Sequence, residues 1–301
     1  MYTYAMPAAG EMVDGVYTIR ISATQAPVSA FVDAPTALGE ASNYGVIADT
    51  YKNVADTQTN FATNHYIGGD ATGADLSNNP GTTYIGDVTP TKERGVQVRN
   101  NLGASTIYYG GSLTQMSNGT EQDYYDENGN LVIQDDSGKA TVISVPYDTV
   151  SAKVSGLING VSIPQGTSIV LPKTAPVDDQ EYYLDTTMLP NGNIHIDLDN
   201  SIGDSGSSLY DIWSTTQKVY IKKNPGQTLV FHSSKTDITL CEFNAWREDL
   251  QKYDTVASPP SNAENENKNT AFLADLASTL IFDFPDATNL TFASSVAGAF
   301  Y

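Results

Sequence analysis

A short unit of two strand-forming residues closed by glycine recurs three times in the first half of the chain. The copies are Tyr66-Ile67-Gly68, Tyr84-Ile85-Gly86 and Tyr108-Tyr109-Gly110, spaced 18 and 24 residues apart. Recurrence at this interval narrows the fold, because one coil of a β-solenoid takes about 20 residues and lays its strand on the preceding one. The expectation is a mainly β chain forming a right-handed β-solenoid with one or two flanking α-helices. In it, the three units would stack and each glycine would form the corner after its strand. The competing reading is that Tyr-Ile-Gly is simply how strands end in a chain with 24 glycines and 18 tyrosines.

The surrounding texture is also that of a β protein, with short apolar and β-branched runs separated by Gly, Asn, Asp and Pro clusters. Strands are predicted at residues 15–22, 82–88, 105–113, 130–134, 140–145, 167–171, 193–198, 218–223, 228–233 and 238–243. "YYDENGNLVI" (residues 124–133) reads as a hairpin turning at Asn128-Gly129. Helices are predicted at residues 53–66 and 269–282, the second carrying Phe272, Leu273, Leu276 and Leu280 on one face. The Pro-, Asn- and Glu-rich stretch at 258–269 reads as an exposed connection. In "IFDFPDATNLTF" (residues 281–292), two alternating stretches flank Pro285-Asp286, so Phe282 with Phe284, and Leu290 with Phe292, each form a stripe to bury.

Charge and cysteine content exclude several classes. Thirty-five acidic against 15 basic residues leave a net charge of −20, which repels phosphate backbones and anionic membranes, so nucleic acid is not an expected partner. Such a surface suits a secreted or cell-surface protein, and also a halophilic or an acidic cytosolic one. A single cysteine, Cys241, leaves no intrachain disulfide and no thiolate set for structural zinc. No apolar run approaches the roughly 18 to 20 residues that cross a bilayer, so direct membrane insertion is not expected, and any signal or anchor is expected outside this stretch.

The segment "ALGEASNYGVIADTYKN" (residues 37–53), followed by "HYIGGDAT" (65–72) and "TTYIGDVT" (82–89), resembles the opening of the choice-of-anchor A domains of bacterial surface proteins. "STLIFDFPDATNLTFASSVAGAFY" (278–301) resembles that family's closing motif, with Asp283 where the family more often has Asn, and without the Ala-Pro corner that follows. The resemblance brackets residues 37–301. Its ends are more specific than its middle, where residues 154–189 carry no family motif. A similar opening occurs in bacterial ice-binding domains of β-solenoid fold. The resemblance implies a non-enzymatic adhesion module near the exposed end of a secreted, cell-wall-anchored protein, a monomeric part of a longer chain that binds a host or environmental surface glycan or matrix protein. Residues 1–36 would then be an N-terminal strand or cap, and the domain is expected to continue beyond Tyr301.

Among chemistry-bearing residues, no Gly-x-Ser-x-Gly elbow, His-Glu-x-x-His pair or phosphate-cradling glycine loop is written in the chain. His65, His195 and His232 fall in separate strand-like contexts and read as locally paired or surface residues. Asp197 and Asp199, two apart and expected on one strand face, could serve as a glycosidase pair or, with Asp204, as hard oxygen ligands for calcium; the plain alternative is a solvated acidic turn. Cys241 lies between Leu240 and Phe243 and reads as a small core hydrophobe. Its covalent alternative is the thioester of Gram-positive adhesins, for which Gln217 is the nearest preceding glutamine. The candidate ligand-binding residues are the paired tyrosines Tyr108, Tyr109, Tyr124, Tyr125, Tyr182 and Tyr183. Their rings stack and their hydroxyls bond, although one of each pair should face the core. Thr-x-Thr occurs only at 57–59 and 89–91, short of the regular threonine ladder that ice recognition would use.

Overall fold

The computed structural model describes residues 11–13, 16–20, 38–53, 59–68, 81–91, 95–98, 105–136, 138–163, 166–170, 181–199, 218–240, 242–255, 266–292 and 297–300. They are mainly β, with two α-helices among them. The chain divides into two compact units, one of residues 1–38, 162–287 and 293–299, the other of residues 39–161, 288–292 and 300–301.

In the second unit, β3 (Val46–Lys52), β4 (Phe61–Ile67), β5 (Thr82–Thr89), β7 (Thr106–Tyr109) and β11 (Thr141–Ser144) form a parallel ladder laid down in chain order. β21 (Asn289–Phe292) pairs with the other edge of β3, as does Phe300 of β22 (Ala299–Phe300). Tyr84 sits beside Tyr108, as the repeat predicts, but Tyr66 sits beside Val88, and Ala62 is the residue opposite Tyr84. The first copy of the repeat is therefore four positions out of the expected alignment. Tyr66 is instead committed to the core, where its ring stacks on Phe61 at 5.3 Å and meets Tyr51 edge-on at 5.6 Å. The corner role assigned to Gly86 also fails, because Gly86 lies inside β5. A Cβ there would collide with the Asn64 carbonyl and the Tyr147 ring, so the glycine serves close approach.

The helix expected over 53–66 fails in its second half, since Phe61–Ile67 is a strand whose first four residues are buried, while residues 54–58 lie outside the described residues. Thr63, His65 and Tyr66 suit a pleated surface, and three aromatic contacts decide the matter. A helix that the sequence reading passed over, α1 (Tyr147–Asn159), covers β3, β4, β5 and β7 with Val150, Val154 and Leu157. These occupy i, i+4 and i+7 of one face. Its N-cap, Pro146, offers no side-chain cap. A smaller sheet orders β6 (Val96–Val98), β10 (Leu131–Asp135), β9 (Glu121–Tyr125) and β8 (Thr114–Asn118). The expected hairpin joins β9 to β10, with Gly129 at φ 80° and Asp126 accepting the backbone N–H groups of Asn128 and Asn130.

The first unit contains two sheets. One runs β1 (Glu11–Val13), β2 (Val16–Arg20), β13 (Glu181–Asp185), β15 (Lys218–Lys222), β18 (Glu242–Arg247) and β19 (Lys252–Thr255), parallel from β2 to β18. The other is parallel throughout and orders β12 (Thr167–Val170), β14 (Gly192–Asp197), β16 (Gln227–His232) and β20 (Leu280–Asp283). From β13 to β16 the chain alternates between them; β17 (Asp237–Leu240) then precedes β18. Their inner faces meet in an aromatic core. Phe231 stacks on Phe282 at 5.0 Å, and Phe243 meets both edge-on at 6.3 and 5.4 Å. Phe284 is buried just past the end of β20, where Ile281 and Phe282 are both buried, and Leu290 is buried in the second unit; the side chain of Phe292 lies outside the described residues. The helix expected over 269–282 is α2 (Glu266–Thr279), with Leu276 buried, and it gives way to β20 at Leu280. Arg247, fully buried, is neutralised by Asp249 at 2.8 Å and Asp254 at 3.4 Å.

Candidate functional site

On strands whose inner residues fill a core, the alternate residues turn outward. In the first unit, Leu184, Val219, Ile221, Phe243 and Ala245 are buried, so Tyr183, Tyr220, Lys222 and Trp246 occupy the opposite face. Register then gathers them. Tyr183 lies beside Tyr220 on adjacent parallel strands, and Trp246 lies opposite Tyr253 on the antiparallel pair. The Tyr183 and Tyr220 rings stack at 4.6 Å and 9°, and Tyr253 stands perpendicular to both, 5.3 Å from each. Trp246 meets Tyr253 edge-on at 5.2 Å. Its indole N–H donates to Glu248 at 2.9 Å, and the Lys222 ammonium sits 4.0 Å from its centroid, a contact worth about 0.5–1 kcal/mol where exposed. All four rings are half-buried. Burial, then Asp185 and Tyr183, push the Tyr253 phenol up to about 12, so it stays a hydrogen-bond donor at neutral pH.

A second tyrosine stack lies in the other unit. Tyr84 and Tyr108 stack at 4.9 Å and 8°, with Tyr44 6.3 Å from Tyr84 and the Lys153 ammonium, paired with Glu40, 5.6 Å from the Tyr84 ring. Of the tyrosines singled out in the sequence, Tyr108, Tyr125 and Tyr183 are half-buried, whereas Tyr109 and Tyr124 fill the interior. Burial pushes the Tyr109 phenol up to about 12, with Asp126, Asp87 and Glu127 adding to the shift. The Tyr124 hydroxyl donates to Gln122 at 2.9 Å. The Tyr182 side chain, Cys241, Gln217 and Asp204 lie outside the described residues. Tyr220, Tyr253 and Trp246 escaped the sequence reading. Alternation in "KVYIKK" and "EFNAW" marks Tyr220 and Trp246 as outward, but only strand pairing brings them to Tyr183.

Two of the histidines, His65 and His232, have carboxylate partners. In the second unit, His65 Nδ1–H donates to Asp87 at 2.9 Å, which leaves Nε2 to accept from the Tyr147 hydroxyl at 3.3 Å. In the first, His232 Nδ1–H donates to Asp283 at 2.9 Å, and His195 faces Ser168 and Val230 across the ladder. The Asp283 bond lifts the His232 pKa; burial opposes it, and the charges of Asp283, Asp199 and Asp197 add to it. Asp199 lies beyond the end of β14, so it does not share a strand face with Asp197; its backbone N–H donates to the Asp197 carboxylate at 2.9 Å. Burial works to raise the Asp199 pKa, but bonds donated by Ser234 and Ser233 outweigh it and hold the carboxyl below its ordinary value. Among the described residues, no three carboxylate, imidazole or thiol groups converge as a metal site. In comparisons with known proteins, no family model, no curated protein and no solved structure matches the chain.

Proposed function

We propose that this chain is a non-catalytic adhesion module of a secreted bacterial surface protein, exposed at the cell wall and binding a host or environmental glycan or matrix protein. The reading takes its architecture as a right-handed β-solenoid. Consecutive parallel strands from β3 to β7 each require the chain to return to its starting side, which is what a coil does. The resemblance of residues 37–89 and 278–301 to the opening and closing motifs of choice-of-anchor A domains supports the cell-surface setting. The observation that carries the binding role is the half-buried aromatic cluster of Tyr183, Tyr220, Tyr253 and Trp246 on the outer sheet face. Rings held at a surface offer contact area with little ordering cost. The test is to probe an array of glycans and extracellular-matrix proteins with the purified chain. Saturable binding to one class is expected, and specific binding to neither would overturn the reading.

A further inference from the structure

We propose that the face built on Tyr183, Tyr220, Tyr253 and Trp246 is a subsite for a neutral pyranose polysaccharide; this rests on the binding-module reading and gives it a ligand class. Three features argue for a sugar.

The first is rigidity. Tyr183 and Tyr220 brace each other at 4.6 Å, Tyr253 stands across the pair, and Trp246 is fixed by Tyr253, by its bond to Glu248 and by Lys222. Binding to such rings immobilises little that is not already immobile, and the C–H face of a pyranose is a flat apolar surface that suits the ring area their mutual packing leaves half-exposed.

The second is the rim. On the same outward rows lie Asp185, beside Lys222, and Lys218, beside Glu242 with 4.0 Å between the charged groups. Sugar hydroxyls both donate and accept, so they can replace the water on carboxylates and ammoniums alike. An apolar peptide side chain would strip that water and return no hydrogen bond.

The third is charge. Two lysines, Lys218 and Lys222, face three carboxylates, Asp185, Glu242 and Glu248, around the rings, and the whole chain carries −20, so an anionic glycan meets repulsion both locally and at long range. A cationic ligand would seek the indole face, where Lys222 already sits 4.0 Å from the centroid.

The test measures affinity of the intact chain for a soluble β-glucan, an α-mannan and a galactan, with hyaluronan and collagen alongside. Trp213→Phe leaves Trp246 as the sole indole, since the sequence has two tryptophans, and its fluorescence reports on the site directly. At least one neutral polysaccharide is expected to bind and shift that fluorescence. Tyr253→Ala should weaken binding about tenfold and Tyr253→Phe, which keeps the ring, by less than about twofold. Neutral-glycan binding that neither moves the Trp246 signal nor responds to Tyr253→Ala would remove this site and leave the binding-module reading standing. Binding of hyaluronan or collagen alone, or of none of the five, would overturn the ligand class, whereas the binding-module reading falls only if the glycan and matrix array also shows nothing specific.

Discussion

His232 shows how a single side chain ties the fold to pH. Its imidazole donates to Asp283 at 2.9 Å with the charges of Asp199 and Asp197 nearby, so its folded pKa lies above the unfolded value of about 6.5. The folded state therefore holds the proton more tightly. The resulting stabilisation is fully present below about pH 6.5 and is lost as pH rises through the raised native value. Asp199 has the opposite sign: its lowered pKa stabilises above about pH 3.9 and fades as pH falls through the native value. Replacing Asp283 with Asn should bring the His232 titration, followed by NMR, down towards or below 6.5. An unshifted titration would show that Asp283 does not set it. That His65 and His232 would find polar partners agrees with one of the two roles the sequence offers an isolated strand histidine. The identity of the partner was not legible in the sequence, since Asp283 reaches His232 only through the pairing of β16 with β20.

At the level of elements, α1 and β4 show where local patterns mislead. Val150, Val154 and Leu157 mark a helix face, but Pro146 gives no side-chain cap and valine, serine and glycine dilute the propensity. The sequence predicts a helix over 53–66, yet Phe61 and Tyr66 are each buried among aromatic neighbours of the sheet. Tertiary packing thus creates one element and converts the other. If packing holds α1, deleting buried side-chain volume from it should be costly. Leu157→Ala is expected to lower stability by about 2–5 kcal/mol in denaturant unfolding. A loss below about 0.5 kcal/mol, the range of ordinary surface substitutions, would mean that the helix is held by something else.

For the whole molecule, the decisive quantity is charge. A net −20 keeps copies apart at neutral pH, and this repulsion disappears near the isoelectric point of about 4.2. Light scattering across pH 3–8 should find the solubility minimum close to that value, and a minimum near neutrality would show that charge does not control association. Residue types alone specify the mainly β character, the acidity, the lack of an intrachain disulfide and the facing of residues on strands with one buried face, but not on β16 or β20, where neighbouring residues are buried in succession. These follow from composition and from the two-residue period of a strand. Which outward residues become neighbours is settled by how the strands pair. Tyr84 meets Tyr108 while Tyr66 turns into the core, and Tyr183, Tyr220, Trp246 and Tyr253 gather from three stretches of chain. Strand register decides this, and register is set by the packing of buried side chains such as Phe231, Phe243 and Phe282, which are themselves distant in sequence.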